Sequence, residues 1–276
     1  MPRNQRMIHF WKMNGAGNDF VMIDNRTLRY DLGREQIAAL CDRHHGVGAD
    51  GLIAVEPAQS GADFRMRYYN ADGGEAEMCG NGARCFGRFT NMLSGWSLEK
   101  VDFETPAGLI EASYHGDNVR IAMSDPHSLR LNIALDLCGQ QKTVHFLNTG
   151  VPHVVVIMDD LDAVPVREWG AALRYHAEFQ PKGTNANFLK VTPEGITIRT
   201  YERGVEDETL ACGTGMVSCA LVYHLLAGAA SPVKVKVKGG DTLEIAFDKN
   251  PDGTFSNVTL TGPADIVFEG EIKMPA

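Results

Sequence analysis

The chain has 276 residues, of which 44% are hydrophobic and 22% are charged, and its formal net charge is −9. This composition is typical of a globular protein with one large domain or two ordinary ones, and the acidic balance argues against a nucleic-acid partner. No apolar run approaches the roughly 20 residues that cross a bilayer, and the first ten residues do not resemble a secretory signal. We therefore expect a cytoplasmic protein with no membrane partner.

Two weak motifs occur near the N-terminus. Residues 46–51 match the G-x-G-x-x-G pattern of dinucleotide-binding loops, but they follow a helical segment around residues 34–43 and lead into a strand, which reverses the required order. Cys41, His44 and His45 lie close in sequence but lack the second ligand pair of a typical zinc site. We expect neither a nucleotide cofactor nor a metal.

Two segments further along the chain share one layout, which indicates an internal duplication. In the first, a strand ending at Asn70 is followed by a polar linker, Cys79-Gly-Asn-Gly82 and a helix. In the second, a strand ending at Arg203 is followed by a polar linker, Cys212-Gly-Thr-Gly215 and a helix. Asn70 and Arg203 each stand nine positions before their cysteine, so the two segments are in register.

The duplication predicts an α+β fold of two pseudo-symmetric domains, each a curved, barrel-like mixed β-sheet around a central helix. We expect the first domain at residues 1–124, with a C-terminal strand at 264–276 that returns to it, and the second domain at 125–263. The alternating valines and lysines of residues 233–238 predict a strand with one exposed face.

The two central helices differ in their pattern. The helix after Cys212 is apolar on nearly all sides and should be buried, whereas Arg84 and Arg88 interrupt the helix after Cys79, which should be less enclosed. The helix around residues 34–43 is expected in the first half only.

Each repeated cysteine stands at the start of a helix, where the first N–H groups are unpaired and carry partial positive charge. This environment lowers a thiol pKa and also binds a carboxylate. If the two helix starts face each other, an α-amino acid would lie between the sulfurs, with its carboxylate on the N–H groups of Gly80, Asn81, Gly213 and Thr214. A thiolate would remove the α-proton from one face while a thiol protonates the other, which inverts the centre.

A purely structural role is the alternative for these cysteines, and for either motif alone it would be preferred. Two motifs in register favour chemistry. Cys85 and Cys219 fall inside the helices and are interpreted as core residues, and Cys41 and Cys138 are interpreted as structural.

The chain resembles the diaminopimelate epimerase family over nearly its whole length. The resemblance rests on motifs in the family's order and spacing, namely Lys12 to Phe20, Asn70 to Gly73, Cys79 to Cys85, Pro152-His153, Asn185, Glu202-Arg203 and Cys212 to Gly215. It implies a homodimer that interconverts LL- and meso-2,6-diaminopimelate in lysine and peptidoglycan biosynthesis, without pyridoxal phosphate or metal.

The resemblance also implies roles for individual residues. Cys79 and Cys212 would be the acid/base pair, with His153 near Cys79 and Glu202 near Cys212 to tune their pKa values. The residues that would hold the substrate's amino and carboxylate groups are Asn18, Asn70, Asn185, Glu202 and Arg203. Without the resemblance, His153 would be interpreted as a buried histidine of a strand.

Three residues depart from the family pattern. Gly51 stands where many members have glutamine, Val151 where many have asparagine, and Phe268 where a tyrosine linked to dimer formation is found. The first two keep open a racemase of the same fold that acts on another amino acid, such as histidine or glutamate. A second alternative is a binding protein or metal-dependent isomerase that uses the cysteines as ligands.

Overall fold

The computed structural model describes residues 6–275. The strands in chain order are β1 (Met7–Gly15), β2 (Asn18–Asp24), β3 (Gly51–Pro57), β4 (Phe64–Asn70), β5 (Glu75–Ala76), β6 (Lys100–Thr105), β7 (Gly108–His115), β8 (Asn118–Ala122), β9 (His127–Leu137), β10 (Gln140–Asn148), β11 (Pro152–Ile157), β12 (Asn185–Thr192), β13 (Gly195–Glu202), β14 (Asp207–Thr209), β15 (Val233–Lys236), β16 (Thr242–Lys249), β17 (Phe255–Pro263) and β18 (Asp265–Lys273). The helices are α1 (Arg34–Cys41), α2 (Gly80–Leu93), α3 (Val166–Tyr175) and α4 (Gly213–Ala227), with a short 3₁₀ turn at Ala177–Phe179. Within the described residues, none of these helices combines the length and apolarity that a bilayer span requires.

Two compact units make up the chain. The first comprises the described residues up to Ile121 together with those from Gly262 onward, and the second comprises Ala122–Thr261. In the first unit, β1 pairs antiparallel with β18 and β2, β2 runs parallel to β3, and β3 is antiparallel to β4. β4 then runs parallel to β6, which continues antiparallel into β7 and β8. α2 packs against β1, β2, β3, β6 and β7 and forms the centre of this unit.

The second unit repeats the same pairings in the same order. β10 pairs antiparallel with β9 and β11, β11 runs parallel to β12, and β12 is antiparallel to β13. β13 runs parallel to β15, which continues antiparallel into β16 and β17. α4 packs against β11, β12, β13 and β15. The predicted α+β fold, with a curved mixed sheet around a central helix in each half, is confirmed.

The enclosure of the two central helices differs from the prediction. α4 is buried from Gly215 to Val222, as expected, but α2 has ten buried residues among its 14, including Arg84, whose exposed fraction is 0%. The Arg84 guanidinium donates to the carbonyl oxygens of Pro263 at 3.3 Å and Gly80 at 3.4 Å, so part of its hydrogen-bonding capacity is met within the protein. The prediction that α2 is less enclosed than α4 was wrong, because the charged side chain of Arg84 was taken to indicate a solvent-exposed face.

The expectation of an extra helix in the first half only was also wrong. α1 connects β2 to β3, and α3 connects β11 to β12 at the corresponding place in the second unit. The buried residues of α3 are Val166, Trp169, Gly170 and Leu173, which is the spacing of an amphipathic helix. The valine–lysine stretch forms β15 as predicted, with its valines buried and its lysines exposed.

Candidate active site

Cys79 and Cys212 occupy the same position in two helices of the same local geometry. Each is the residue before the first helical turn, with φ and ψ of −137° and 122° at Cys79 and −130° and 112° at Cys212. Each cysteine carbonyl accepts the first backbone hydrogen bond of its helix, from Ala83 at 2.7 Å and from Met216 at 2.9 Å. Cys79 is half-buried and Cys212 is 6% exposed.

The glycine three residues after each cysteine is required by close packing. A Cβ on Gly82 would lie 2.9 Å from Ile53 Cδ1, and a Cβ on Gly215 would overlap Asn187 Oδ1. At Gly215 only a residue without a side chain leaves Asn187 in place, whereas at Gly82 a methyl group would have to displace the end of the Ile53 side chain. The same contacts show that Ile53 of β3 and Asn187 of β12 occupy corresponding positions in the two units.

A chain of polar groups leads to the Cys212 sulfur. Thr214 Oγ1 lies 3.6 Å from Cys212 Sγ and 2.8 Å from Nε2 of His153, a residue of β11. His153 is 0% exposed, and burial together with the positive charge of Arg203 lowers its pKa to about 3. His153 is therefore a neutral imidazole at physiological pH.

The far end of this chain consists of two residues that sequence reasoning missed. Asn187 Nδ2 lies 3.1 Å from His153 Nδ1 and donates to the Val154 carbonyl at 3.0 Å, while Asn187 Oδ1 accepts from the Thr200 hydroxyl at 3.0 Å. Both residues are at most 2% exposed. The available signal was a second asparagine in β12, two residues after Asn185 and so on the same face of the strand, because a buried polar side chain requires hydrogen-bond partners.

Three further predicted residues lie near the end of β13. The Asn185 side chain donates to the Pro152 carbonyl at 2.9 Å and accepts from the Arg203 backbone N–H at 2.8 Å. Burial raises the pKa of the neighbouring Glu202 carboxyl, an effect that the Thr209 hydroxyl partly opposes. Asn185 thus holds the Arg203 backbone in place beside a carboxyl group whose pKa burial raises.

The helix start at Cys79 has a different polar support. Asn81 Nδ2 donates to Asn18 Oδ1 at 2.6 Å, and Asn18 Nδ2 donates to Asp50 at 2.9 Å. Asp50 is ion-paired with Arg43 at 2.8 Å. The structure therefore brings the predicted residues Asn18 and Asn81 together and anchors them to a charged group.

That charged group includes an ion pair between a buried lysine and a partly buried aspartate. Lys12 Nζ lies 2.7 Å from Asp19, which also pairs with Arg43 at 2.7 Å, and Lys12 donates to the Gly48 carbonyl. Burial opposes ionisation of Asp19, but the hydrogen bonds from Arg43 and Lys12 prevail and lower its pKa to about 2. Asp19 is therefore an anion at physiological pH.

Gly51 and Asn70 are neighbours on adjacent strands. A Cβ on Gly51 would overlap the Tyr69 carbonyl oxygen and lie 2.7 Å from the Tyr68 ring, so no side chain fits there without rearrangement. The Tyr68 hydroxyl donates to Asn70 Oδ1 at 3.0 Å. The departure from glutamine at Gly51 thus accompanies a tyrosine ring that fills the space and orients Asn70.

The remaining cysteines of the helix interiors and of α1 are not suited to proton transfer. Burial raises the pKa of Cys85 and of Cys41 to about 12 and that of Cys219 well above its ordinary value. Between residues 6 and 275, no three His, Cys, Asp or Glu side chains are grouped as a metal ion would require. The cysteines at the helix starts are the remaining candidates, apart from the exposed Cys138.

The hydrogen bonds described above connect predicted site residues within each unit. In the second unit, His153 is linked through Thr214 to Cys212. The expected proximity of His153 to Cys79 concerns residues of different units and stays a prediction, as do the roles of Gly80, Gly213 and Glu202 toward a substrate.

Known proteins similar to this chain identify its family. The profile of the diaminopimelate epimerase family matches residues 10–129 and 145–267, which include both cysteine helix starts. Two relatives named diaminopimelate epimerase, from Chlorobaculum tepidum and Aquifex aeolicus, are each 43% identical to this chain. The alignment with the first covers 95% of this chain and 100% of the relative, and the alignment with the second covers 96% and 98%. A solved structure of a Bacillus anthracis phenazine biosynthesis protein of the PhzF family shares the fold, with a TM-score of 0.75 over 97% of this chain and 99% of that one, at 14% identity. By this coverage and identity, the chain belongs to the diaminopimelate epimerase family.

Proposed function

We propose that the chain epimerises LL-2,6-diaminopimelate to meso-2,6-diaminopimelate by a two-base mechanism without a cofactor, and so supplies lysine and peptidoglycan biosynthesis. The observation that carries this proposal is the pair of helix starts at Cys79 and Cys212, which share backbone geometry and a following glycine, in a chain whose family match includes both.

The helix starts supply the binding of the reacting group. The N–H groups of Gly80, Asn81, Gly213 and Thr214 would donate hydrogen bonds to the substrate's α-carboxylate, since the first N–H groups of a helix have no partner within it. As the α-proton leaves, negative charge develops on the carboxylate, and the same donors stabilise it.

The two sulfurs supply the proton transfers. One cysteine acts as a thiolate and removes the α-proton, and the other acts as a thiol and protonates the opposite face of the same carbon. The helix dipole favours the thiolate at either position, so the reaction runs in both directions with the same groups.

The remaining polar residues would select the substrate. Arg203 offers a forked donor that suits a carboxylate, and Glu202 offers an acceptor for an ammonium group. Asn18, Asn70 and Asn185 would complete the binding of the amino and carboxylate groups. Each of the three asparagines is already oriented by a hydrogen bond from or to the protein.

A homodimer and a cytoplasmic location are part of the proposal. Phe268 in β18 is 48% exposed and packs edge-on against Phe10, and the adjacent Val267 is 58% exposed. These apolar side chains on β18 support an interface with a second copy, which sedimentation of wild type and Phe268→Ala would test.

Hydrogen exchange in D₂O tests the substrate. The enzyme is incubated separately with LL-diaminopimelate, L-histidine and L-glutamate, and deuterium at Cα is measured by mass spectrometry. Deuterium should enter diaminopimelate at least about 100-fold faster than either other amino acid. Faster exchange of histidine or glutamate would indicate a racemase for that amino acid, and activity abolished by a chelator and restored by a metal would indicate a metal-dependent isomerase.

A further inference from the structure

Asn187 of β12 fixes the direction of the hydrogen bonds that end at Cys212. Its Oδ1 accepts from the Thr200 hydroxyl at 3.0 Å, and its Nδ2 lies 3.0 Å from the Val154 carbonyl oxygen, which can only accept. The two contacts agree on one orientation of the amide, with the oxygen toward Thr200 and the nitrogen toward β11.

This orientation determines the tautomer of His153. The second hydrogen of Asn187 Nδ2 is directed at His153 Nδ1, 3.1 Å away. Because an amide nitrogen only donates, Nδ1 must present a lone pair, and the single proton of the neutral imidazole lies on Nε2. The burial of His153 and the nearby positive charge of Arg203 both keep the imidazole neutral.

The proton on Nε2 in turn directs the Thr214 hydroxyl. Nε2 donates to Thr214 Oγ1 at 2.8 Å, so the hydroxyl hydrogen is available for another acceptor. The sulfur of Cys212 lies 3.6 Å from Oγ1, within range for an O–H donor to sulfur. A donor aimed at the sulfur stabilises its anionic form over the thiol.

We propose that Asn187 is a positioning residue that, through His153 and Thr214, holds Cys212 as the thiolate of the resting enzyme. The inference rests on the proposed function and deepens it: Cys212 takes the α-proton and becomes a thiol, while the Cys79 thiol gives its proton to the opposite face and becomes the thiolate. Proton exchange with water then restores the resting form.

The first unit has different side chains at the positions that correspond to this hydrogen-bond chain. Ile53 stands at the position of Asn187, and Tyr68, its partner across the strand pair, stands at the position of Thr200. At the position of Thr214 the first unit has Asn81, whose NH₂ group donates to Asn18. The supporting groups thus distinguish the two cysteines although their backbones match.

Two titratable groups, Arg203 and Cys219, act electrostatically on the hydrogen-bond chain that ends at Cys212. Arg203 disfavours a second proton on His153, which supports the neutral imidazole, and Cys212 and Cys219 each disfavour a second negative charge on the other. Since Cys219 is fully buried and remains a thiol, it does not compete with Cys212 for the negative charge.

The pH dependence of alkylation tests the proposal on the enzyme without substrate. Iodoacetamide is applied between pH 5 and 10, and modification of Cys79 and Cys212 is followed separately by peptide mass spectrometry. In wild type, the midpoint for Cys212 should lie at least about one pH unit below that for Cys79. A midpoint for Cys212 equal to or above that of Cys79 overturns the proposal.

Asn187→Asp reverses the direction of the hydrogen-bond chain. The new carboxylate accepts a hydrogen bond from Nδ1–H of His153, which leaves Nε2 of His153 to accept a hydrogen bond from the Thr214 hydroxyl. The Cys212 midpoint should rise by about one unit, which is a tenfold change in the ionisation constant of its thiol, while the Cys79 midpoint stays unchanged. Ile53→Val, at the corresponding position of the first unit, is the matched control and should move neither midpoint. An unmoved Cys212 midpoint in folded Asn187→Asp overturns the proposal.

Thr214→Val separates the hydrogen-bond chain from a direct effect of the introduced charge. Without the Thr214 hydroxyl, Asn187→Asp should shift Cys212 no further, since the chain is already broken. A shift of the same size in both backgrounds overturns the proposal in favour of electrostatics.

Should Asn187→Asp fail to fold, Thr200→Val removes the hydroxyl that orients the Asn187 amide and should also raise the Cys212 midpoint. None of these readouts requires diaminopimelate, so failure here is distinguishable from failure of the proposed function.

Discussion

The two units share a backbone and differ in what supports their cysteines. Seven strand pairings follow in the same order of parallel and antiparallel contacts, and both central helices begin at a cysteine with nearly the same dihedral angles. Cys212 lies at the end of a neutral hydrogen-bond chain, whereas the helix start at Cys79 is anchored through Asn81 and Asn18 to charged groups. A duplicated scaffold therefore provides equivalent positions without providing equivalent electrostatics.

Strand register identifies the positions where the units diverge. In the parallel pair β11–β12, His153 is opposite Asn185, and in the parallel pair β2–β3, Phe20 is opposite Gly51. Phe20 packs edge-on against Tyr68 with ring centroids 6.0 Å apart. An aromatic contact thus stands in the first unit where the second has a polar network, which makes the two units separately testable.

The largest expected effect is the loss of either cysteine at a helix start. Cys79→Ala and Cys212→Ala should each lower kcat for diaminopimelate epimerisation by about 1000-fold or more, because general acid–base groups contribute on the order of 100- to 10,000-fold each. The matched controls are Cys85→Ala and Cys219→Ala, whose thiols are buried in the same two helices and should affect stability more than turnover. Retention of wild-type turnover in either helix-start variant would refute the two-base assignment.

The next comparison concerns the glycines that follow the cysteines. Gly215→Ala should lower the free energy of unfolding by about 3 kcal/mol, since the new methyl group meets an Asn187 side chain that three hydrogen bonds hold in place. Gly82→Ala should cost about 1 kcal/mol, because its methyl group meets the terminal carbon of Ile53, which can rotate. Urea unfolding measures both, and equal losses would show that Asn187 is as mobile as Ile53.

The sequence predicted the repeated scaffold better than the groups that support the site. The cysteine motifs, the buried α4 and the β15 alternation were readable because each depends on local pattern. Asn187 and Thr200 were not found, since they meet His153 only after β11, β12 and β13 have paired. A partner 34 residues away along the chain leaves no periodic signal.

The errors have a similar cause. Arg84 was taken as solvent-facing because charge usually is, yet the carbonyl oxygens of Gly80 and the distant Pro263 accept its hydrogen bonds. α3 was missed although its apolar residues have the spacing of an amphipathic helix, because its burial depends on strands from other parts of the chain.

The units should also differ in their response to acid. His153 has a pKa of about 3 when folded and about 6.5 when unfolded, so below pH 6.5 the unfolded chain binds the extra proton and stability falls as the pH falls. Between pH 7 and pH 5 this costs about 2 kcal/mol. Asp19 of the first unit, with a folded pKa of about 2, loses its contribution only below its unfolded value of about 4 and stays constant in this range.

Urea unfolding of wild type and His153→Gln at pH 7 and pH 5 measures this difference. Wild type should lose about 2 kcal/mol more than the variant between the two pH values. Equal losses would mean that His153 is not held neutral and buried in the folded protein. His153 would then not make the second unit more sensitive to acid than the first.

The smallest expected effect tests the Gly51 departure in the first unit. Tyr68→Phe removes the hydroxyl that donates to Asn70 Oδ1, so the Asn70 amide is no longer held in one orientation. One such hydrogen bond contributes about 1 kcal/mol, and KM for diaminopimelate should rise about fivefold with little change in kcat. Tyr69→Phe is the matched control, because adjacent strand residues face opposite sides of the sheet. If both variants change KM alike, the effect comes from the strand and not from the Tyr68 hydroxyl, and Asn70 does not depend on the ring that fills the space at Gly51.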